Sequence, residues 1–340
     1  MIVRPIRETD WPAISRFARV SGCSVINLPN DSQALKARMA RSFVSFAADV
    51  DTPGEQGYIF VLEVEGEVVG TSALIASAGL DEAFYNYRRE ILVHASPSLK
   101  VHNKIHVLSM SHELTGYTQL CGFYIDPAWA NTHAAALLSR ARLLFIASFQ
   151  QRFAAHLLAE MFGVVDEQQQ SPFWDAVGRK FFHVDFAAAE HLFSTHERTF
   201  LAELMPAYPI YVPLLPAAAQ AAIGAVPPAA QLPYRLLCAE GFETSHYLDI
   251  FDGGAVLTAK THEVHTVAHS RVARVEVGIV APHSPVPYLI ATQKTGEFRV
   301  THALAWLDEQ DVLWLTPEVA EMLRIEMGDV VRVVAAEEGG

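Results

Sequence analysis

Three cysteines in 340 residues, Cys23, Cys121 and Cys238, are too few and too widely spaced for a disulfide framework, and no CxxC pair offers a zinc site. Each is expected to be a small buried apolar residue. No apolar run approaches the roughly 20 residues that span a bilayer, and the opening Met1-Ile2-Val3-Arg4-Pro5 lacks the apolar core of a secretory signal. The cytoplasm is therefore the expected location, with no membrane partner. Positive charge is scarce: 25 Lys and Arg against 38 Asp and Glu give a formal charge of −13 with no basic stripe, which excludes nucleic acid as an expected partner. Serine-hydrolase GxSxG, P-loop, GxGxxG and HExxH motifs are all absent. His262-Glu263-Val264-His265 is one residue short of the zinc-protease spacing and reads as solvated surface, so no metal is expected. Fixed-period repeats and low-complexity tracts are missing as well.

What is present, 51% hydrophobic and 19% charged residues, suits one large globular domain or two of ordinary size. A β-type opening is followed by Thr9-Asp10-Trp11-Pro12, a helix start, and Ser32 to about Val50 repeats apolar residues at helical spacing. Tyr58–Val64 and Val68–Ile75 flank Glu65-Gly66-Glu67, a hairpin signal. Gly79 to Thr118 shows no sustained period and predicts long loops around one or two short strands. Leu157–Val165 is a strand candidate, and Ser171-Pro172-Phe173-Trp174 begins a short helix that Gly178 ends or kinks. Short strands and little helix after about residue 265 predict a small β-barrel. The fold class is thus α/β (α+β), a mixed sheet flanked by helices over residues 1–265 and a small C-terminal β-barrel over 266–340.

The stretch Leu120-Cys121-Gly122-Phe123-Tyr124-Ile125, a turn, then Ala134 to Ala147 reads as strand, turn and helix, where an acyl-coenzyme A transferase holds its cofactor. Backbone amides of Phe123, Tyr124 and Ile125 would pair with the pantetheine arm as an added strand does, although the pattern equally fits a buried central strand. Asn131, Thr132, Ala134 and Ala135 offer helix-start amides to phosphates, but Ala130–Ala136 contains no glycine to admit them closely. An amine nucleophile must lose a proton, and His94, His102, His106 and His112 are the candidate acceptors. Glu160, Asp166, Glu167 and Glu203 are candidate carboxylates for a guanidinium or ammonium group, and Arg88 for an acyl carboxylate. Each of these also fits a surface ion pair or helix cap.

Val93-His94-Ala95-Ser96, His102-Asn103-Lys104-Ile105, Ser139-Arg140-Ala141-Arg142-Leu143-Leu144-Phe145, Asp166-Glu167-Gln168, Ala202-Glu203-Leu204-Met205-Pro206, Tyr208-Pro209-Ile210-Tyr211 and Asp249-Ile250-Phe251-Asp252-Gly253-Gly254 resemble the arginine N-succinyltransferase family, closest to its alpha subunits. The resemblance spans nearly the whole chain. It implies a fold like the GCN5-related N-acyltransferases, succinyl-CoA as co-substrate, and succinyl transfer to the α-amino group of arginine or ornithine in arginine catabolism. It also implies a beta subunit as partner. Two positions depart from the family. The glycine-rich turn is replaced by Ala130–Ala136, and the proton-donor histidine of the Gly-x-Val-His-Pro block is matched by Pro227 in Gly224-Ala225-Val226-Pro227-Pro228. No residue inherits that role by motif, which leaves His94 and His106 as the local candidates. The alternative reading is a non-catalytic scaffold or regulatory subunit that binds arginine or succinyl-CoA.

Overall fold

The computed structural model describes residues 1–22, 25–80, 83–195, 199–278 and 284–336. Cys23 lies outside them. Fifteen strands run through the described residues: β1 (Ile2–Pro5), β2 (Gly57–Val64), β3 (Glu67–Ile75), β4 (Asn86–Ser96), β5 (Val101–Ser111), β6 (Thr118–Ile125), β7 (His156–Glu160), β8 (Ile210–Tyr211), β9 (Glu243–Asp249), β10 (Ala255–Lys260), β11 (Arg271–Val277), β12 (Val286–Thr292), β13 (Val300–Leu307), β14 (Val312–Leu315) and β15 (Val330–Ala335). The first ten form a sheet of order β1-β2-β3-β6-β7-β10-β9-β4-β5-β8, antiparallel except where β6 meets β7. The last five close on themselves as β12-β15-β11-β14-β13, with β13 returning to β12. This barrel has its own core of Val275, Ile290, Leu313 and Val331, and joins the first sheet where Val3 pairs with Val300.

Helices α1 (Trp11–Ser21) and α2 (Ser32–Ala47) lie on one face and α3 (His133–Ser148) on the other. The period of two in β2 decides this, because Tyr58, Phe60 and Leu62 enter the α3 core while Ile59 and Val61 meet α1 and α2. The α2 start is capped by Asp31 Oδ1, which accepts the Ala34 amide at 2.7 Å. Asp31→Ala is expected to cost about 1 kcal/mol, read as a lower urea midpoint at unchanged slope. From Leu137 to Ala147 every residue of α3 is buried, Arg140 and Arg142 included. Phe145 on this helix packs against Phe46, Tyr58, Phe60 and Phe298 with ring centroids 4.9–5.5 Å apart.

A second core holds β4 and β5 against α4 (Pro172–Ala176), α5 (Arg179–Phe182), α6 (Phe186–Thr195), α7 (Thr199–Leu204) and α8 (Ala217–Ala222) through Tyr87, Leu108, Phe173, Trp174 and Leu201. The break between α4 and α5 falls at Val177, φ −116° and ψ −81°, and the next residue is Gly178, where a Cβ would sit 2.2 Å from the Trp174 ring. The remaining helices, α9 (Gln231–Ala239) and α10 (His265–His269), pack on α3, while α11 (Pro317–Leu323) belongs to the barrel. The expected hairpin is β2–β3, with Glu65 and Gly66 both at positive φ.

Two expectations need correction. Gly79–Thr118 is not mainly loop, since β4 and β5 pair over eleven residues each. Their outer half leaves the body, with Ile91, Val93 and Leu99 exposed, so neither face carries a burial period. The strand expected over Leu157–Val165 stops at Glu160, and Asp252-Gly253-Gly254 is the turn between two strands the periodicity did not reveal, β9 and β10.

Candidate active site

Strands β6 and β7 are paired only at Thr118–Leu157 and Gln119–Leu158. Beyond Gln119 no strand of the described residues lies across this edge of β6, so the sheet opens into a split along Leu120–Ile125. On the other edge the β3–β6 register slips between Thr71 and Ala73, which marks a bulge around Gly122. Gly122 has φ +60°, and a Cβ there would sit 3.0 Å from that of Ala73, so both the turn and the close approach require glycine. The Gly122 amide is redirected to the carbonyl of Ile26 at 2.8 Å, which ties the α1–α2 connection to the bulge.

A polar network lines the split. Gln119 Nε2 donates to Glu160 Oε2 at 2.9 Å, Asn27 Nδ2 donates to Gln119 Oε1 at 3.1 Å, and Arg38 donates to the Asn27 carbonyl. From α3, Arg142 reaches the Cys121 carbonyl at 3.4 Å and Ser139 Oγ at 3.0 Å, with its guanidinium 5.6 Å from the centre of the Phe123 ring. Its hydrogen bonds go to neutral oxygens, and among the described residues no carboxylate lies within ion-pair distance. Burial lowers the Arg142 pKa to about 10, which leaves it cationic at neutral pH. Burial also pushes the Cys121 thiol up to about 11, so it is protonated there and a poor nucleophile. The split thus holds a fixed positive charge on one side and the Glu160 carboxylate on the other.

Of the residues singled out in the sequence, the fold brings Phe123, Tyr124, Ile125 and Glu160 to the split. Tyr124 packs against Phe17, ring centroids 4.7 Å apart, and donates to Asp126 Oδ1. Asn131 and Thr132 are exposed at the start of α3, whereas Ala134 and Ala135 are buried. The Ala134 amide donates to Thr132 Oγ1 at 3.2 Å and the Ala135 amide to the Thr132 carbonyl at 3.3 Å, so the turn uses these donors itself. His133 stacks on His302 of the barrel, rings 4.9 Å apart and 6° from parallel. Pro227 follows a segment in which Gly224 donates to the Gly253 carbonyl at 2.8 Å, while Asp252 of the same turn accepts the Gly163 amide just beyond β7. Its segment therefore stands near the far end of β7.

The other candidates lie elsewhere. His94 and His106 are exposed on the β4–β5 hairpin, opposite Asn103 and Ile91, and their registers put them on opposite faces. Arg88 pairs with Glu90 and Glu113, and Glu113 also accepts from the Tyr247 hydroxyl. Glu167 is exposed in a turn closed by Asp166, and Glu203 is exposed on α7. Among the described residues none of His94, His106, Arg88, Glu167 or Glu203 shares a hydrogen bond or ion pair with the network. Asn27, Gln119 and Arg142 were missed from the sequence. For Arg142 a signal existed: the Ala134–Ala147 helix is apolar apart from Ser139, Arg140 and Arg142, and a charged residue in such a helix has to be buried against something polar. No group of three metal-ligating side chains occurs among the described residues, and no helix there is long and apolar enough to cross a membrane.

Comparison with known proteins gives the lineage. Family models for the arginine N-succinyltransferase beta subunit and its C-terminal domain match residues 1–266 and 271–335. The arginine N-succinyltransferase subunit alpha of Pseudomonas aeruginosa is 48% identical, with 98% of this chain and 99% of that protein covered. The arginine N-succinyltransferase of Yersinia enterocolitica is 40% identical, with 98% and 97% covered. The solved structure of arginine/ornithine succinyltransferase subunit AI from Pseudomonas aeruginosa superposes with a TM-score of 0.89 at 44% identity over 98% of both chains. On these matches and the shared architecture, the chain belongs to the arginine N-succinyltransferase family.

Proposed function

We propose that the chain is an alpha-type subunit of an arginine N-succinyltransferase, of GCN5-related N-acyltransferase type, that works with a beta subunit and moves a succinyl group from succinyl-CoA to the α-amino group of arginine or ornithine. The observation that carries this reading is the β6–β7 split with its bulge, lined by a buried guanidinium and a carboxylate. In it the open edge at Phe123–Ile125 receives the pantetheine amides, and Glu160 takes a cationic group of the amino acid. The neutral amine attacks the thioester carbon, the C–N bond forms, the C–S bond breaks, and the proton that the acylated nitrogen sheds balances the one taken up by the departing coenzyme A thiolate. The raised Cys121 pKa favours this direct transfer over an acyl-enzyme.

The subunit reading is supported by the self-capped start of α3 and by Pro227 standing where the family pattern has a histidine. Both suit a chain whose partner supplies the phosphate cradle and the proton-transfer group. The test is release of free coenzyme A from succinyl-CoA on addition of arginine or ornithine, with the chain alone and with its beta subunit. Turnover is expected only with both present. An equal rate from the chain alone would overturn the subunit assignment.

A further inference from the structure

A cleft of about 230 Å³ lies away from the split, at the seam between the segment after β1 and the barrel, and four arginines line it: Arg4, Arg7, Arg299 and Arg324. This is unexpected in a chain of net charge −13. Arg4 is already neutralised, by Asp10 at 2.8 Å and Glu63 at 2.7 Å. The guanidinium groups of Arg7, Arg299 and Arg324 have no carboxylate within 4.0 Å among the described residues, Asp10 Oδ2 accepting only the Arg7 backbone amide at 2.7 Å, and Arg299 is steadied by a 3.0 Å hydrogen bond to the Met322 carbonyl. The cleft's one acid, Glu297, is 76% exposed and faces Lys294. Burial first, then repulsion from the neighbouring arginines, lowers the pKa of Arg7 and Arg299, as expected of cations held together.

Arg324 adds an independent sign. It ends α11 in the left-handed conformation, φ 58°, a position that favours glycine, yet the chain places a long cation there. The cleft is also separate from the cofactor turn. Its Phe298 packs on Phe145 near the end of α3, whereas His133 begins that helix, twelve residues or about 18 Å earlier along the axis.

We infer that this cleft is a binding site for a compact dianion, a phosphate or a dicarboxylate, clamped between Arg7 of the first domain and Arg299 and Arg324 of the barrel. The volume is below that of ordinary pockets for drug-sized ligands, and planar guanidinium forks match carboxylate and phosphate oxygens in pairs. Because the arginines come from both sides of the seam, the bound dianion also fastens the barrel to the first sheet. The inference does not rest on the proposed transferase reaction.

The experiment is calorimetric titration and thermal melting of the full chain with inorganic phosphate and, separately, with succinate, at ionic strength held constant with potassium chloride. Saturable binding and a raised Tm are expected for at least one of them, and the tighter of the two identifies the ligand as phosphate-type or dicarboxylate. Arg324→Gly relaxes the backbone, so it should melt no lower than wild type without added anion yet bind at least tenfold more weakly. Arg7→Gln should weaken binding comparably. Absence of saturable binding by either anion, or affinities unchanged in both variants, overturns the assignment.

Discussion

Replacing Glu160 by glutamine is expected to lower kcat/KM for the amino acid by roughly 30-fold in the assembled enzyme, with the KM for succinyl-CoA little changed. The magnitude follows from losing one charge-assisted interaction, about 2 kcal/mol. Glu160 ends β7 beside the split, and Gln119 donates to it at 2.9 Å. Glutamine keeps an oxygen to accept that hydrogen bond, so the fold should be retained and Tm should move by only a degree or two. The loss would therefore fall on recognition of the cationic substrate. A 30-fold rise in the KM for succinyl-CoA instead would reassign Glu160 to the cofactor side, and unchanged kinetics would remove it from the site.

Gly254→Ala should be the most destabilising alanine substitution at a glycine that already has ordinary φ, by about 3 kcal/mol and on the order of 6 °C in Tm. A Cβ there would lie 2.1 Å from the Met161 carbonyl oxygen and 2.8 Å from Asp252 Oδ1. Neither can move cheaply. The Met161 amide is bound to Ala255 at 2.8 Å, and Asp252 accepts the amides of Gly163 and Gly254, each at 2.7 Å. The same crowding would displace the end of β7, where Glu160 pairs with Val256, so activity should fall with stability. Gly296→Ala is the control, because its Cβ would meet only the Phe46 carbonyl oxygen at 3.9 Å, and its Tm should stay within a degree of wild type. Equal melting temperatures for the two variants would show that the turn adjusts and that its glycine is not a packing requirement.

The order of most elements and the class of protein were legible in the amino-acid pattern. Local rules act within a few residues, so the Glu65-Gly66 turn, the Ser171 cap and the short strands of the barrel could be read where they stand. Family blocks such as Asp249–Gly254 were equally legible, and the structure gives their reason in the Asp249 and Asp252 carboxylates that hold the turn amides. The candidate site is assembled only by the fold. Asn27, Gln119 and Glu160 are separated by 92 and 41 residues, and they meet only because β6 pairs with β7 for two residues and then parts from it. The hairpin β4–β5 escaped notice because periodicity reports burial on one face, and its outer half has none to report. The arginine cleft was invisible for the same physical reason as the site: residues 4, 7, 299 and 324 converge only when the barrel closes and docks on β1, and no local pattern encodes a contact made across nearly the whole chain.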